Sequence, residues 1–320
     1  MGQYYIRQAF FPRPIHSCRP QSRSACQSIN ADVNTLAEIR LGTSSFTAPG
    51  WDGVFYPKGT KSADRLSVYA EHFDTVEIDS TFYACPSPKT VDGWAMKTPD
   101  GFIFSVKVPQ VITHDKVLID CDIEFERFVE TMGWLGEKLG PILLQFPFFD
   151  RASFKTRNEF LDRLIPFLRR LPQGFKFAVE IRNKEWLDSQ FAGVLRDFGV
   201  ALVLQDQSRM PHPSELSRTF DPITADWTYI RWLGDRKGIE RITTTWDKTV
   251  IDRTNEISGW VDVCYETVRR GVKVFGYANN HYAGYAPATL QQFRDLWRAK
   301  GLPELTKPQP KRQENTLFDL

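Results

Sequence analysis

The stretch TVEIDSTFY, Thr75 to Tyr83, decides the fold, because it sets two carboxylates in what otherwise reads as a buried β-strand. A strand sends alternate side chains to opposite faces, so Glu77 and Asp79 share a face with Thr75 while Val76 and Ile78 point the other way. Acids aimed into a core are costly unless they are paired or stand where the core opens. A parallel barrel meets both conditions, since its strands end one after another in polar residues that gather at one mouth.

Outward from this stretch the chain alternates. Short apolar, β-branched or aromatic runs read as strands at Ile39–Phe46, Thr75–Tyr83, Phe102–Val108, Ile142–Phe146, Phe175–Arg182, Val200–Asp206, Thr228–Leu233 and Lys273–Asn279. Segments of helical period lie between them: Ser62–Phe73, Asp122–Leu139, Asn158–Leu171, Asp188–Phe198, Thr254–Arg270 and Ala286–Lys300, with Ser87-Pro88 as a further helix start. In Asp122–Leu139 the residues Phe125, Phe128, Val129, Met132, Leu135 and Leu139 form one stripe, and Gly140-Pro141 is expected to terminate it. Such alternation requires parallel pairing with right-handed crossovers. The sequence therefore predicts an α/β fold, a single closed (β/α)8 TIM-type barrel over residues 37–302 with unpacked N- and C-terminal extensions. An open doubly wound sheet is the alternative, but Gly42-Thr43-Ser44-Ser45 after the first strand is not the GxGxxG dinucleotide fingerprint.

The 320 residues, 42% hydrophobic and 13% aromatic, hold ample material for one such core. Five scattered cysteines without a CxxC pair argue against a disulfide framework and for a reducing, cytoplasmic setting. No apolar run reaches the roughly 18 residues of a membrane span. Residues 1–31 carry four arginines and no acid, and residues 307–320 three bases and two acids, so the part between them holds −3 of a total of +2. A broad cationic surface for long nucleic acid is not implied. The N-terminal arm, residues 1–36, lacks apolar periodicity and reads as a disordered extension or an over-long start, with an organellar transit peptide as the alternative.

Reading the strand ends in order gives Ser44 and Ser45, Glu77 and Asp79, Lys107, Gln145, Glu180 and Arg182, Asp206, Arg231, and Asn279-Asn280. Internal ion pairs are one account of these charges, for Glu180 and Arg182 share a face and can neutralise Glu77 and Lys107. A binding mouth is the other. Tyr83 and Trp186 add rings that stack on a sugar or base, and His114, beyond the third strand, is a candidate proton carrier. Lys107, Arg182 and Arg231 would repel a cation, so no metal or other cofactor is expected, although Glu77, Glu180 and Asp206 leave a divalent ion open. Three cations suit an anionic ligand better than the neutral sugar of a glycosidase using Glu77 and Glu180.

GTSSFTAPGWDGVFYP, TVEIDSTFY, FSVKVPQVITH, LGPILLQFP, FAVEIRNKEW, YIRWLG and FGYANNHYAGYA resemble the successive motifs of the YecE-like family, catalogued as domain of unknown function 72. The resemblance runs from about Ile39 to Trp297 and implies a TIM-type barrel, but supplies no reaction. Carried over by position, it marks Glu77, Ser80, Thr81, Tyr83, Lys107, Thr113, His114, Gln145, Glu180, Arg182, Trp186, Arg231, Asn279 and Asn280. The resulting expectation is an enzyme doing acid/base chemistry on a small anionic, ring-containing substrate such as a sugar phosphate or nucleotide fragment. Glu77, Glu180 and His114 would move protons. Lys107, Arg182, Arg231, Gln145, Tyr83, Trp186, Asn279 and Asn280 would hold the substrate. A ligand-binding barrel without turnover is one alternative. Another is a nucleic-acid maintenance factor: the tail of residues 303–320 ends TLFDL, and Gln313, Leu317 and Phe318 resemble a short peptide that docks on a sliding clamp.

Overall fold

A computed structural model describes residues 36–305 of the chain. The arm up to Thr35 and the tail from Thr306, with Gln313, Leu317 and Phe318, lie outside the described residues. The strands are β1 (Ile39–Thr43), β2 (Thr75–Ile78), β3 (Ile103–Lys107), β4 (Leu139–Gln145), β5 (Phe177–Glu180), β6 (Ala201–Gln207), β7 (Trp227–Gly234) and β8 (Lys273–Ala278). The helices are α1 (Arg65–His72), α2 (Pro88–Met96), α3 (Asp122–Gly133), α4 (Arg157–Leu168), α5 (Ser189–Asp197), α6 (Pro213–Leu216), α7 (Arg236–Glu240), α8 (Thr254–Arg269), α9 (Asn280–Ala283) and α10 (Ala286–Ala299). All ladders are parallel and run in the order β1-β8-β7-β6-β5-β4-β3-β2, the ring of an α/β barrel. Among the described residues no helix is long and apolar enough to cross a membrane.

The ring is nearly rather than fully closed, because β1 and β2 meet without a ladder. Their backbones approach so closely that a Cβ on Gly42 would stand 2.1 Å from the Thr75 carbonyl oxygen, so glycine is required there. The Tyr69 hydroxyl of α1 fills in for the missing ladder. It accepts the Thr43 N–H at 2.9 Å and donates to the Thr75 carbonyl at 3.1 Å.

Several element boundaries differ from expectation. α3 stops at Gly133 rather than Leu139, and Leu139 instead opens β4, which runs through Gly140-Pro141. Two glycines, Gly133 and Gly136, the latter at φ +55°, cut the helix short. Proline has no N–H to give a ladder, and the β3–β4 register slips at this point: Phe104 faces Leu139, yet Val106 faces Ile142. β2 ends at Ile78 rather than Tyr83, and Asp79–Phe82 forms a 3₁₀ turn. β1 ends at Thr43 rather than Phe46, and β5 spans Phe177–Glu180 rather than Phe175–Arg182. Ser87 caps α2, its hydroxyl accepting the Thr90 N–H at 3.2 Å ahead of Pro88.

Two cores result. Between strands and helices lies a large apolar layer that includes Val76, Ile78, Val106, Leu144, Val179 and Ile230. Inside the ring a second, smaller cluster holds Leu143, Ala178, Ala201, Val203, Trp227, Tyr229, Phe275 and Tyr277. Burying each large apolar side chain contributes about 1.5–3 kcal/mol. This inner plug fills the barrel up to the level where the charged residues begin.

Candidate functional site

At mid-height inside the ring, Tyr277 donates to or accepts from Thr75 (2.7 Å) and Ser105 (2.6 Å), so β2, β3 and β8 share one buried hydroxyl network. One layer higher, Glu77 and Glu180 are fully buried and face each other across Arg231. Arg231 Nη2 donates to Glu77 Oε1 at 2.7 Å and Nη1 to Glu180 Oε2 at 2.9 Å. The second oxygen of each carboxylate is also engaged, Glu77 Oε2 by the Tyr229 hydroxyl at 2.6 Å and Glu180 Oε1 by Arg182. Burial alone would push the Glu180 carboxyl up, but Arg182 and Arg231 outweigh it and hold the group below its ordinary range. Arg231, despite its burial, is held cationic by Glu77 and Glu180.

Toward solvent lies a second tier. Asp79, past the end of β2, turns back so that Oδ1 lies 3.3 Å from Lys107 Nζ and 3.9 Å from Arg231. The 3₁₀ turn that carries it is fastened to β3 by Thr81, whose hydroxyl accepts the Lys107 N–H at 3.0 Å and lies 2.7 Å from the Lys107 carbonyl. The Lys107 ammonium sits 3.8 Å from the centre of the Phe82 ring. Burial lowers the Lys107 pKa, and Asp79 opposes the shift. Arg182 also engages Gln207, and Gln205 Nε2 donates to the Ile181 carbonyl at 2.8 Å, bridging β5 and β6 where their short ladder has ended.

His114 stands over the same ring as Lys107, edge-on to Phe82 with centroids 4.9 Å apart, and its Nδ1 bonds the Thr113 hydroxyl at 2.9 Å. Burial, reinforced by Lys107, pushes its pKa down to about 4, so the imidazole is neutral at physiological pH. The loop beneath it is strained. Val111–Asp115 forms one turn of π-helix, and Val117, Leu118 and Asp120 follow at φ +42°, +67° and +49°. A β-branched residue in that region costs on the order of 1–3 kcal/mol, and such strain gathers at functional sites. Lys116 pins the loop through the Asp120 carbonyl and Glu124, both at 2.6 Å.

Glu77, Lys107, Glu180, Arg182 and Arg231 thus come together at the mouth with His114 and Gln145, the last buried at the end of β4. Tyr83 is 74% exposed and packs edge-on against Phe82 at 5.3 Å. Asn279 and Asn280 are employed by their own loop, accepting the His281 N–H at 3.0 Å and the Ala286 N–H at 2.9 Å. Trp186 is a correction. Its ring stacks on Phe149 and Phe160 within an aromatic cluster and is 6% exposed, so it has no free face for a ligand. Asp206 is another, for it points to the outer layer and accepts from Trp260 Nε1 (2.7 Å) and the Tyr282 hydroxyl (2.8 Å). Sequence reasoning missed Tyr229 and Gln205. Tyr229 lies two residues before Arg231 on β7, and Gln205 is Arg231's register partner on β6, so strand period would have found both once the inward face was known. Among the described residues no group of three or more His, Cys, Asp or Glu side chains is placed to hold a metal ion.

Eight parallel strands, an outer layer of helices and polar residues at the carboxyl ends of the strands define a barrel of the TIM type. The chain belongs to the DUF72 family, matching the description "Protein of unknown function DUF72" over residues 40–314. It is 35% identical to the UPF0759 protein YecE of Escherichia coli K12 over 148 residues, 46% of this chain and 50% of the relative. To the UPF0759 protein YunF of Bacillus subtilis 168 it is 33% identical over 151 residues, 44% and 51% of the two chains. The chain spans about half the length of these curated relatives. Among solved structures, a DUF72 family protein from Thermotoga maritima MSB8 superposes with TM-score 0.63 at 27% identity, covering 82% of this chain and 99% of that one. A DUF72 family protein from Enterococcus faecalis V583 gives 0.60 at 21% identity, covering 83% and 99%, and speaks to the fold alone.

Proposed function

We propose that the barrel mouth is the active site of an enzyme that moves protons on a small anionic, ring-bearing molecule of the sugar phosphate or nucleotide fragment class. The observation that carries this reading is the placement of His114, held neutral beside Lys107 over the Phe82 ring on a π-helical turn that leads into strained backbone. A neutral imidazole accepts a proton, and a nearby ammonium supplies the complementary charge. Glu77 and Glu180 have both oxygens engaged and no exposure, so in this reading they and Arg231 form a fixed base of charge rather than the proton carriers. That assignment moves the acid/base role from the glutamates to His114. Arg182 and Lys107, with side chains 18% and 8% exposed, are the cations left to meet an anion, and Tyr83 offers a ring to stack on.

The test is a calorimetric titration of the protein with a panel of sugar phosphates and nucleoside monophosphates, followed by turnover assays on those that bind. Binding that weakens about tenfold in Arg182→Met, the loss expected for one charge-assisted contact, supports the anion role. Turnover that disappears in His114→Gln while binding persists supports the proton role. Binding with no turnover of any ligand makes the protein a ligand-binding barrel, and no binding across the panel removes the proposal.

A further inference from the structure

Lys107 is unusual among the lysines of this chain. Its side chain is 8% exposed, and among the described residues its ammonium makes an ion pair with Asp79 at 3.3 Å and a ring contact with Phe82, but no hydrogen bond to Nζ. Lys116 and Lys138, by contrast, donate to carbonyl or carboxylate oxygens at 2.6 Å. Two further cations, Arg231 and Arg182, occupy the same mouth, each tied to Glu180. Desolvation and neighbouring positive charge are the two conditions that free an amine from its proton and make it a nucleophile. The lowered Lys107 pKa agrees with this environment. Several buried polar atoms of the mouth, among them Asp79 Oδ1, Arg182 Nε, Arg231 Nε and Gln205 Oε1, make no hydrogen bond among the described residues.

We propose that Lys107 Nζ condenses with the carbonyl carbon of an aldehyde or ketone that also carries a phosphate or carboxylate, forming an imine at the barrel mouth. The proposal rests on the anion-binding reading above and names the reactive group of that substrate class, the carbonyl that a cyclic sugar phosphate exposes when its ring opens. In the first step Asp79 or His114 takes the ammonium proton. The Nζ lone pair then attacks the carbonyl carbon, the C–N bond forms as the C=O π pair moves to oxygen, and that oxygen takes up the proton just removed from the ammonium. In the second step the same group takes one of the two protons left on nitrogen and passes it to the hydroxyl, which departs as water as the nitrogen lone pair closes the C=N bond of a protonated imine. One water leaves and nothing is oxidised or reduced. Neutral His114 is suited to carry the proton in both directions.

Reductive trapping tests this. The full-length protein is incubated with glyceraldehyde 3-phosphate and sodium cyanoborohydride, and the adduct is mapped by peptide mass spectrometry. Lys107 should be modified at least about tenfold faster than exposed lysines, because desolvation and the neighbouring Arg231 ease the loss of its proton. Glyceraldehyde without phosphate should lose that preference. Lys107→Arg should abolish the fast adduct, and because the wild-type map is itself the readout, a variant that misfolds does not blunt the test. Modification spread over exposed lysines with Lys107 no faster than the rest overturns the proposal. If phosphates bind calorimetrically while Lys107 stays unlabelled, the imine is wrong and the anion-binding reading stands; if neither occurs, both fall.

Discussion

The two ends of the barrel both bury charge, and they treat it differently. At the mouth Arg231 spans Glu77 and Glu180 at 2.7 and 2.9 Å, and Tyr229 and Arg182 occupy the remaining oxygens. At the opposite end Arg40 gives its best hydrogen bond to the Gly101 carbonyl at 2.7 Å and pairs with the more exposed Glu38, while the partly buried Asp74 lies 3.7 Å from it. Burial consequently raises the Asp74 pKa to about 6, against the pull of Arg40, whereas Glu180 is held below its ordinary value. Burial is therefore not what distinguishes the mouth. Strong partners keep Glu180 and Arg231 charged, which a preorganised site requires.

Removing the bridge should have the largest effect. Arg231→Met strands two buried carboxylates, and a loss of about 3–5 kcal/mol in urea unfolding is expected; a loss under 1 kcal/mol would mean the mouth relaxes and is not preorganised. Asp74→Asn probes the other end. Since the folded pKa of Asp74 is raised from 3.8 to about 6, the folded state binds more protons than the unfolded one between these values, and the group's contribution falls as pH rises through that window. The variant should lack this fall, which amounts to about 3 kcal/mol, when urea midpoints are compared between pH 4 and pH 6.5.

Tyr229→Phe comes third, removing a hydroxyl bonded to a charged group and costing about 2 kcal/mol. Paired with Glu77→Gln in a double-mutant cycle, it measures how far the mouth acts as a unit. His114→Gln is the smallest. The folded His114 pKa is lowered from 6.5 to about 4, so the unfolded state binds more protons and the wild-type contribution rises with pH across that range, opposite in sign to Asp74. Allowing for solvent screening of a half-buried ring, the variant should lose about 1 kcal/mol of that rise. Equal slopes in His114→Gln and wild type would show that the ring is solvated and its neutrality at low pH unsupported.

Much of the fold was legible because each strand carries its own apolar run and each helix its own period, and Ser87-Pro88 shows that a cap is written in adjacent residues. The register slip at Gly140-Pro141 was not, since a local terminator reads alike whether it ends a helix or bulges a strand. At the site, Glu77, Lys107, Glu180 and Arg231 could be gathered from strand ends alone. Asp206 and Gln205 could not be told apart, because a strand buried on both faces is apolar throughout and its alternation does not say which side is inward. Trp186 failed for a related reason: a loop tryptophan beside the mouth and one stacked on Phe149 and Phe160 look the same in sequence.

The joint between β1 and β2 has a consequence for how the barrel breathes. Parting those strands breaks no backbone ladder; it needs α1 to withdraw the Tyr69 hydroxyl from Thr43 and Thr75, with release of Asp74 by Arg40 and of Thr75 by Tyr277. The Thr43 amide, with Tyr69 as its acceptor, should then exchange its hydrogen with solvent in step with undocking of that one helix, faster than amides of β7 locked between two ladders. The barrel behaves as a strip of strands fastened by a side-chain clasp, and its closing event in folding is the seating of a helix.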